Sequence, residues 1–305
     1  MNTPPVDAEP FAPGIWVPIV TPFSGEEIDY AATARLIRSL VSTGVHGLVV
    51  CGTTGEGPAL TSDEKAQLLD TAFATAPTDF PIMLALEGAN TAKIIAEMGE
   101  IGRWPVNGYL LPAPSYVRPS EDGLRRHFLT VAEAAGAPIM IYDIPARTGS
   151  NLSTALIAEL AASGRCPAIK ACGFSLGRLD ELLAISGLSV YCGDDGSIHT
   201  ALTRGARGVV SASANVFGKA LVAHYDACRL NSATEAEAIW QYLLPATQLL
   251  FEEPNPAPVK CALALQGTIE DSLRLPMTPC SSALRYRLRA MLAGEVSPTD
   301  AEAFT

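Results

Sequence analysis

Lysine, and charge generally, are scarce in this sequence. Charged residues make up 17% of the 305, and only five are lysines: Lys65, Lys93, Lys170, Lys219 and Lys260. Acidic residues outnumber basic ones 32 to 21, for a formal net charge of −11. That field opposes attraction to polyanions, so neither nucleic acid nor an anionic membrane surface is expected as a partner. An anionic substrate would need locally placed cations and backbone N–H groups. No run of about 18 apolar residues occurs, so no transmembrane helix is expected. The seven cysteines form no C-x-x-C pair, and their odd number and irregular spacing read as reduced thiols in a cytoplasmic enzyme. No histidine and aspartate cluster with metal-ligand spacing is visible, and no metal is expected. Residues 1–13 are rich in proline and acid and lack a basic stretch followed by an apolar one. They read as a mobile arm, not as a signal peptide.

What is present is a large apolar complement, 48% of the chain, arranged with a regular rhythm. Eight short apolar runs recur, at 14–23, 47–51, 82–86, 108–111, 138–144, 168–171, 189–192 and 208–211. Each is followed by a polar loop and a segment with helical spacing, for example 29–41, 62–76, 120–135 and 216–230. Ser62-Asp63-Glu64 and Ser120-Glu121-Asp122 supply helix-start chemistry. Eight β–α units in series predict an α/β protein of the (β/α)₈ TIM-barrel type over residues 14–230. A doubly wound open sheet, the competing fold, does not require the number eight. After residue 231 the pattern is helical only, so 231–305 reads as a C-terminal helical appendage.

In such a barrel the chemistry sits at the carboxyl ends of the strands. Lys170 lies in the apolar stretch Pro167-Ala168-Ile169-Lys170-Ala171-Cys172. Desolvation there is expected to lower its pKa and free its amine for imine formation. Position alone also fits a lysine that snorkels to solvent or closes an ion pair. Tyr142, from the neighbouring run, can reach the same mouth as a proton shuttle, although a tyrosine in an apolar run is commonly a core residue. Thr53 and Thr54, between glycines, offer hydroxyls and N–H groups to a carboxylate. Arg147 is a bidentate carboxylate ligand candidate or a plain surface arginine.

Gly52-Thr53-Thr54-Gly55-Glu56, Tyr142-Asp143-Ile144-Pro145-Ala146-Arg147-Thr148-Gly149 and Ile169-Lys170 together resemble the signatures of the dihydrodipicolinate synthase and N-acetylneuraminate lyase superfamily. The resemblance runs from about Gly14 to Leu284. It includes Tyr116-Val117-Arg118-Pro119-Ser120, Gly193-Asp194-Asp195, Asn255-Pro256-Ala257-Pro258-Val259-Lys260 and Leu273-Arg274-Leu275-Pro276. The last two, with Arg147, favour the dihydrodipicolinate synthase branch.

The resemblance implies an imine between Lys170 and pyruvate, with Tyr142 as proton donor and acceptor. It implies a proton relay through Thr53 to Tyr116, the latter contributed by a neighbouring subunit, so that a homodimer or homotetramer is the active form. Thr54 would bind the pyruvate carboxylate, Val210 (through its carbonyl) and Gly193 would line the pocket, and Arg147 would hold the second substrate's carboxylate. The implied reaction condenses pyruvate with aspartate 4-semialdehyde and needs no cofactor beyond the imine itself. A sibling aldolase or dehydratase acting on a 2-keto-3-deoxy sugar acid or N-acetylneuraminate is the alternative, and a non-catalytic keto-acid sensor a remote one. Three positions depart from the synthase pattern: Ala171 stands where glutamate is usual, Glu87 where a small residue is common, and Ser115 where the first of two tyrosines is usual.

Overall fold

The computed structural model of the chain describes residues 11–101 and 103–294. Ten strands occur among them: β1 (Gly14–Pro18), β2 (Phe23–Ser24), β3 (Glu27–Ile28), β4 (Gly47–Val50), β5 (Ile82–Ala85), β6 (Gly108–Pro112), β7 (Ile139–Asp143), β8 (Ala168–Ala171), β9 (Ser189–Cys192) and β10 (Gly208–Val210). Between and after them run α1 (Tyr30–Ser42), α2 (Ser62–Thr75), α3 (Thr91–Ile101), α4 (Glu121–Ala134), α5 (Pro145–Thr148), α6 (Thr154–Ala162), α7 (Leu176–Leu183), α8 (Ile198–Thr203) and α9 (Ala214–Arg229). The C-terminal part carries α10 (Ala233–Leu249), α11 (Ala257–Leu265) and α12 (Ser282–Ala293).

Eight strands close into an all-parallel barrel in the order β1, β10, β9, β8, β7, β6, β5, β4. β2 and β3 form a separate antiparallel hairpin. The expected first run, 14–23, therefore stops early as a strand. Pro18 and Pro22 have no N–H to give a ladder, and the chain turns into the hairpin between them. The other seven runs become strands within a residue or two of their expected limits.

Alternation along each strand sorts the side chains. One alternate set, which includes Ile139, Ile141, Ile169 and Val209, faces the helices and joins the large outer core. Trp16, Val49, Met83, Leu110, Met140, Ala168, Tyr191 and Val210 point inward and fill the barrel. Phe11 closes its amino-terminal end. Its ring packs edge-on to Trp16 at 6.2 Å, and the Tyr191 hydroxyl donates to the Phe11 carbonyl at 3.0 Å. A Cβ on Gly108 would lie 2.4 Å from that ring, which is why β6 begins with glycine. The end of the expected mobile arm is thus packed, and residues 1–10 lie outside the described residues.

Helix starts follow local rules. Thr61, one residue before the serine expected in that role, makes a full capping box with Glu64. Ser120, Ser153, Ser175 and Ser281 each accept a backbone N–H of the following turn. The short helix α5 was not foreseen, because Pro145 opens a turn that reads as loop in the sequence.

The helices beyond residue 231 pack on the barrel. Lys260 of α11, fully buried, places its ammonium 2.5 Å from the Glu56 carboxylate in the loop after β4, and donates to the Ser272 carbonyl at 2.7 Å. Arg274 adds a backbone N–H to the other Glu56 oxygen at 3.1 Å and a forked contact to Glu64 at 2.5 and 2.9 Å. Burial pulls the Lys260 pKa down to about 8, against the raising effect of Glu56. Removing one partner of a buried pair strands the other, at a cost of about 3 to 5 kcal/mol. Lys260→Met is therefore expected to lower urea-unfolding stability by about that amount. Lys260→Met combined with Glu56→Gln should recover a large part of it. Equal losses in the single and double variants would show that the pair carries no such coupling.

Candidate active site at the carboxyl end of the barrel

Strands β7 and β8 are in a register that sets Tyr142 directly beside Lys170. Both residues are inward-facing, and both are buried, at 7% and 6% exposure. The Lys170 ammonium nitrogen sits 4.3 Å from the Tyr142 ring centroid. Thr53, from the loop after β4, lines the same pocket as the Tyr142 phenol. These three polar groups meet in a narrow pocket lined also by Thr54, Glu87, Pro112 and Leu110.

The Lys170 pKa is not what the sequence suggested. Burial acts to lower it, but Tyr142, Cys172 and Asp195 act to raise it, and the resultant is upward. The phenol and the thiol are themselves pushed up by burial, Cys172 to about 12, so both are neutral near pH 7. Of the three, Asp195 is the carboxyl group; burial pushes its pKa up, against the lowering effect of its hydrogen bonds from Ser211 and Ser213 and of Lys170. Charge on the resting amine is therefore favoured, and Tyr142 is the polar side chain beside it.

Glycine at 193 leaves room for the lysine. A Cβ there would fall 2.4 Å from Cys172 Sγ and 2.7 Å from Lys170 Cε, so any side chain would displace the amine. Val210, also inward and buried, belongs to the same inner cluster as Tyr142. Thr54 is buried, and its hydroxyl accepts the Asn255 amide N–H at 3.0 Å. The C-terminal region thereby fixes one wall of the pocket.

Two candidates stand apart from this group. Arg147 is exposed on α5, although close enough for its charge to act on the Tyr142 phenol. Arg118 lies beside it: a Cβ on Gly149, the residue ending α5, would be 2.7 Å from Arg118 Nε. Tyr116 is 94% exposed and has a left-handed backbone, φ 71°. It does not line the pocket of its own chain.

Two groups were missed in the sequence. Asp195, in the turn after β9, is buried and accepts hydrogen bonds from the Ser211 hydroxyl and from the N–H groups of Ala212 and Ser213, at 3.3 and 2.9 Å for the last two. It binds the ends of β9 and β10 together next to Lys170. The run Gly193-Asp194-Asp195 was visible as a motif, but its acceptor role needs the loop after β10 to be placed. Glu87 is the second, noted only as a departure. It lines the pocket, and its Oε1 is buried with no hydrogen-bond partner among the described residues. Lys65, near it, is already paired with Glu97 at 2.7 Å. Burial raises the Glu87 pKa from an ordinary 4.5 to about 7, against a lowering effect of Lys65.

A closed parallel barrel with a buried lysine and a tyrosine paired at its carboxyl mouth defines the architecture of an imine-forming lyase. The chain belongs to the dihydrodipicolinate synthetase family, whose sequence model matches residues 12–294. It is 36% identical over 278 residues to the 4-hydroxy-tetrahydrodipicolinate synthase of Synechococcus sp. (strain CC9311), covering 90% of this chain and 92% of the relative. The enzyme of the same name from Heliobacterium modesticaldum is 38% identical over 278 residues, with the same coverage of 90% and 92%. Among solved structures, dihydrodipicolinate synthase from Thermotoga maritima superimposes with a TM-score of 0.90 at 30% identity, covering 93% of this chain and 98% of that one.

The Glu87 carboxyl predicts a pH effect with a definite sign. A folded pKa above the unfolded one contributes stability that is complete below about pH 4.5 and is lost as pH rises through about 7. Above that, ionising the buried group costs on the order of 3 kcal/mol at most. Glu87→Gln, which cannot ionise, is expected to gain on the parent protein between pH 5 and pH 8 in thermal-melt comparisons. A constant difference across that range would place the Glu87 pKa at an ordinary value.

Proposed function

We propose that the chain condenses pyruvate with aspartate 4-semialdehyde, the 4-hydroxy-tetrahydrodipicolinate synthase reaction of lysine and diaminopimelate biosynthesis, by a class I aldolase mechanism. The single observation that carries the reading is Lys170 beside the Tyr142 phenol inside the barrel mouth, its ammonium 4.3 Å from the ring centroid, with Thr53 lining the same pocket.

The steps follow from that geometry. With its proton passed to the relay, the Lys170 nitrogen attacks C2 of pyruvate. Loss of water, with Tyr142 supplying the proton to the departing oxygen, leaves the imine. The imine nitrogen draws electrons from the methyl group, which gives up a proton and becomes an enamine carbon. That carbon attacks the aldehyde, whose oxygen takes a proton. The amine of the second substrate then displaces Lys170, closing the ring and returning the enzyme. The imine nitrogen is the electron sink throughout, so no other cofactor enters the scheme.

Thr54, held by Asn255, suits the pyruvate carboxylate, with Val210 and Gly193 shaping the pocket around it. Arg147 provides a cation at the mouth of an otherwise acidic protein, where the second carboxylate would arrive. The pocket opens onto an exposed rim, and Tyr116 projects away from its own chain. Both features fit a dimer, or a tetramer built from dimers, in which Tyr116 of one subunit completes the relay of the next. Seven unpaired cysteines agree with a cytoplasmic setting. Among the described residues no helix is long and apolar enough to cross a membrane.

Borohydride reduction in the presence of pyruvate is expected to add the pyruvyl mass to the Lys170 peptide and to no other. An adduct on Lys260, the lysine with the lowered pKa, would overturn the assignment. In a separate assay without borohydride, a panel of aldehydes should turn over with pyruvate, with aspartate 4-semialdehyde preferred to sugar-derived acceptors. The reverse preference, with the adduct intact, would select the sibling sugar-acid aldolase.

The subunit arrangement has its own test. Lys170→Ala and Tyr116→Phe homo-oligomers should both be nearly inactive. Mixed oligomers of the two should regain activity, because one site in each pair would then hold both an intact lysine and an intact tyrosine. No recovery in verified mixed oligomers would show that Tyr116 does not act across the interface.

A further inference from the structure

A cluster of metal-ligand type lies in the outer helical layer, on elements that the reaction does not use. His199 of α8 and His224 of α9 bring Nδ1 and Nε2 to 3.0 Å of each other. Cys228, one turn further along α9, holds its sulfur 3.7 Å from the same His224 nitrogen. The three donor atoms all lie within 4.8 Å of one another. We propose that His199 Nδ1, His224 Nε2 and Cys228 Sγ form a binding site for a zinc-like divalent transition ion, which clips α8 to α9 on the outside of the barrel.

Two of the three donor–donor distances suit a small ion as they stand, and the third, between His199 Nδ1 and Cys228 Sγ, is within 4.8 Å and has to close by up to about 1.2 Å on binding. With metal–nitrogen bonds near 2.05 Å and a metal–sulfur bond near 2.3 Å, tetrahedral edges are about 3.3 Å between nitrogens and about 3.6 Å between nitrogen and sulfur. The observed 3.0 and 3.7 Å differ from these by a few tenths of an ångström. Two imidazoles and a thiolate are donors of zinc or cobalt type, and the set offers nothing to magnesium or calcium, which require oxygen.

The surroundings favour ligation independently. The other nitrogen of His199, Nε2, contacts the Glu237 carboxylate of α10 at 3.1 Å. That contact places the ring proton on Nε2 and leaves the Nδ1 lone pair facing the cluster, the carboxylate–histidine–metal arrangement that orients a ligating imidazole. Trp240 of α10 stacks against His199 at 6.2 Å and lies 5.3 Å from His224, holding both rings in place. His224 is fully buried, whereas Cys228 borders a surface cavity of about 500 Å³ lined also by Thr203 and Asn231. The cavity gives an ion a way in and room for a water as fourth ligand. The sequence showed no such spacing because His199 stands 25 residues before His224 and meets it only when α8 and α9 pack side by side.

The competing description is a hydrogen-bonded histidine pair resting on a tryptophan, with no affinity for metal. Titrating Co²⁺ into the full-length, chelator-treated, thiol-reduced protein separates the two. The expected result is one ion per chain, an intense thiolate-to-cobalt charge-transfer band in the near ultraviolet, displacement of that band by Zn²⁺, and a higher melting temperature with Zn²⁺. Cys228→Ser and His199→Ala should each abolish the band, and Glu237→Ala should weaken Co²⁺ binding by about tenfold or more. Cys280→Ser, which alters a thiol outside the cluster, should leave it unchanged. Far-ultraviolet circular dichroism and pyruvate trapping on Lys170 establish that each variant is folded. The proposal is overturned if no charge-transfer band forms at stoichiometric Co²⁺, or if the band survives in folded Cys228→Ser protein.

Discussion

Everything in this molecule depends on the closure of an eight-stranded parallel sheet. Closure gives each strand two neighbours, leaves no edge to protect, and divides every strand into residues that face the helices and residues that face the axis. The axis-facing set is almost wholly apolar, from Trp16 and Phe11 at one end to Met83 and Met140 in the middle. Only at the carboxyl end does this filling give way to polar groups. The same alternation that buries Ala168 and Met140 brings Lys170 and Tyr142 inward two residues later, side by side. Barrel register, which is a packing constraint, is thus also what sets the distance between an amine and a phenol.

Two buried lysines show how differently one side chain is treated inside one protein. Lys260 has a full counter-charge at 2.5 Å and a carbonyl at 2.7 Å, and its role is to hold the C-terminal helices against the loop that carries Thr53 and Thr54. Among the described residues Lys170 has no carboxylate in ion-pair contact; it lies beside the Tyr142 phenol, with Asp195 acting from further off. Burial works against the charge on both. The pKa by itself would pick Lys260 as the more readily deprotonated amine. Geometry separates them the other way: of the two, Lys170 is the one that lines the pocket at the barrel mouth, with Tyr142 beside it.

The helical layer does more than cover the barrel. Asn255 reaches in to Thr54, Arg274 grips Glu64, and Arg178 joins the strand-end residue Asp143 to α7 at 3.6 Å. Each contact fixes a loop at the mouth from outside. Glu87 is a polar intrusion of the opposite kind, a carboxyl buried in the pocket wall with an unpaired oxygen. A small residue in its place would carry no such cost.

The sequence by itself determined the barrel, because eight apolar runs alternating with helical spacing can be buried together in few other ways. It also singled out Lys170, Tyr142, Thr53, Thr54 and Arg147, because strand ends in such a barrel all meet at one mouth. Short-range chemistry was legible as well: serine and threonine caps appear within a residue of their expected places. Tertiary structure decided what depends on groups far apart in the chain. The direction of the Lys170 pKa is set by Tyr142, Cys172 and Asp195, whose distances no spacing rule supplies. The pairing of Lys260 with Glu56 spans 204 residues, and the fit of Phe11 under Tyr191 spans 180. Meeting of His199 with His224 and Cys228 depends on how two helices, α8 and α9, lie against one another. Periodicity records which face of an element is buried, but not which neighbour it is buried against, and electrostatics and ligand geometry depend on the neighbour.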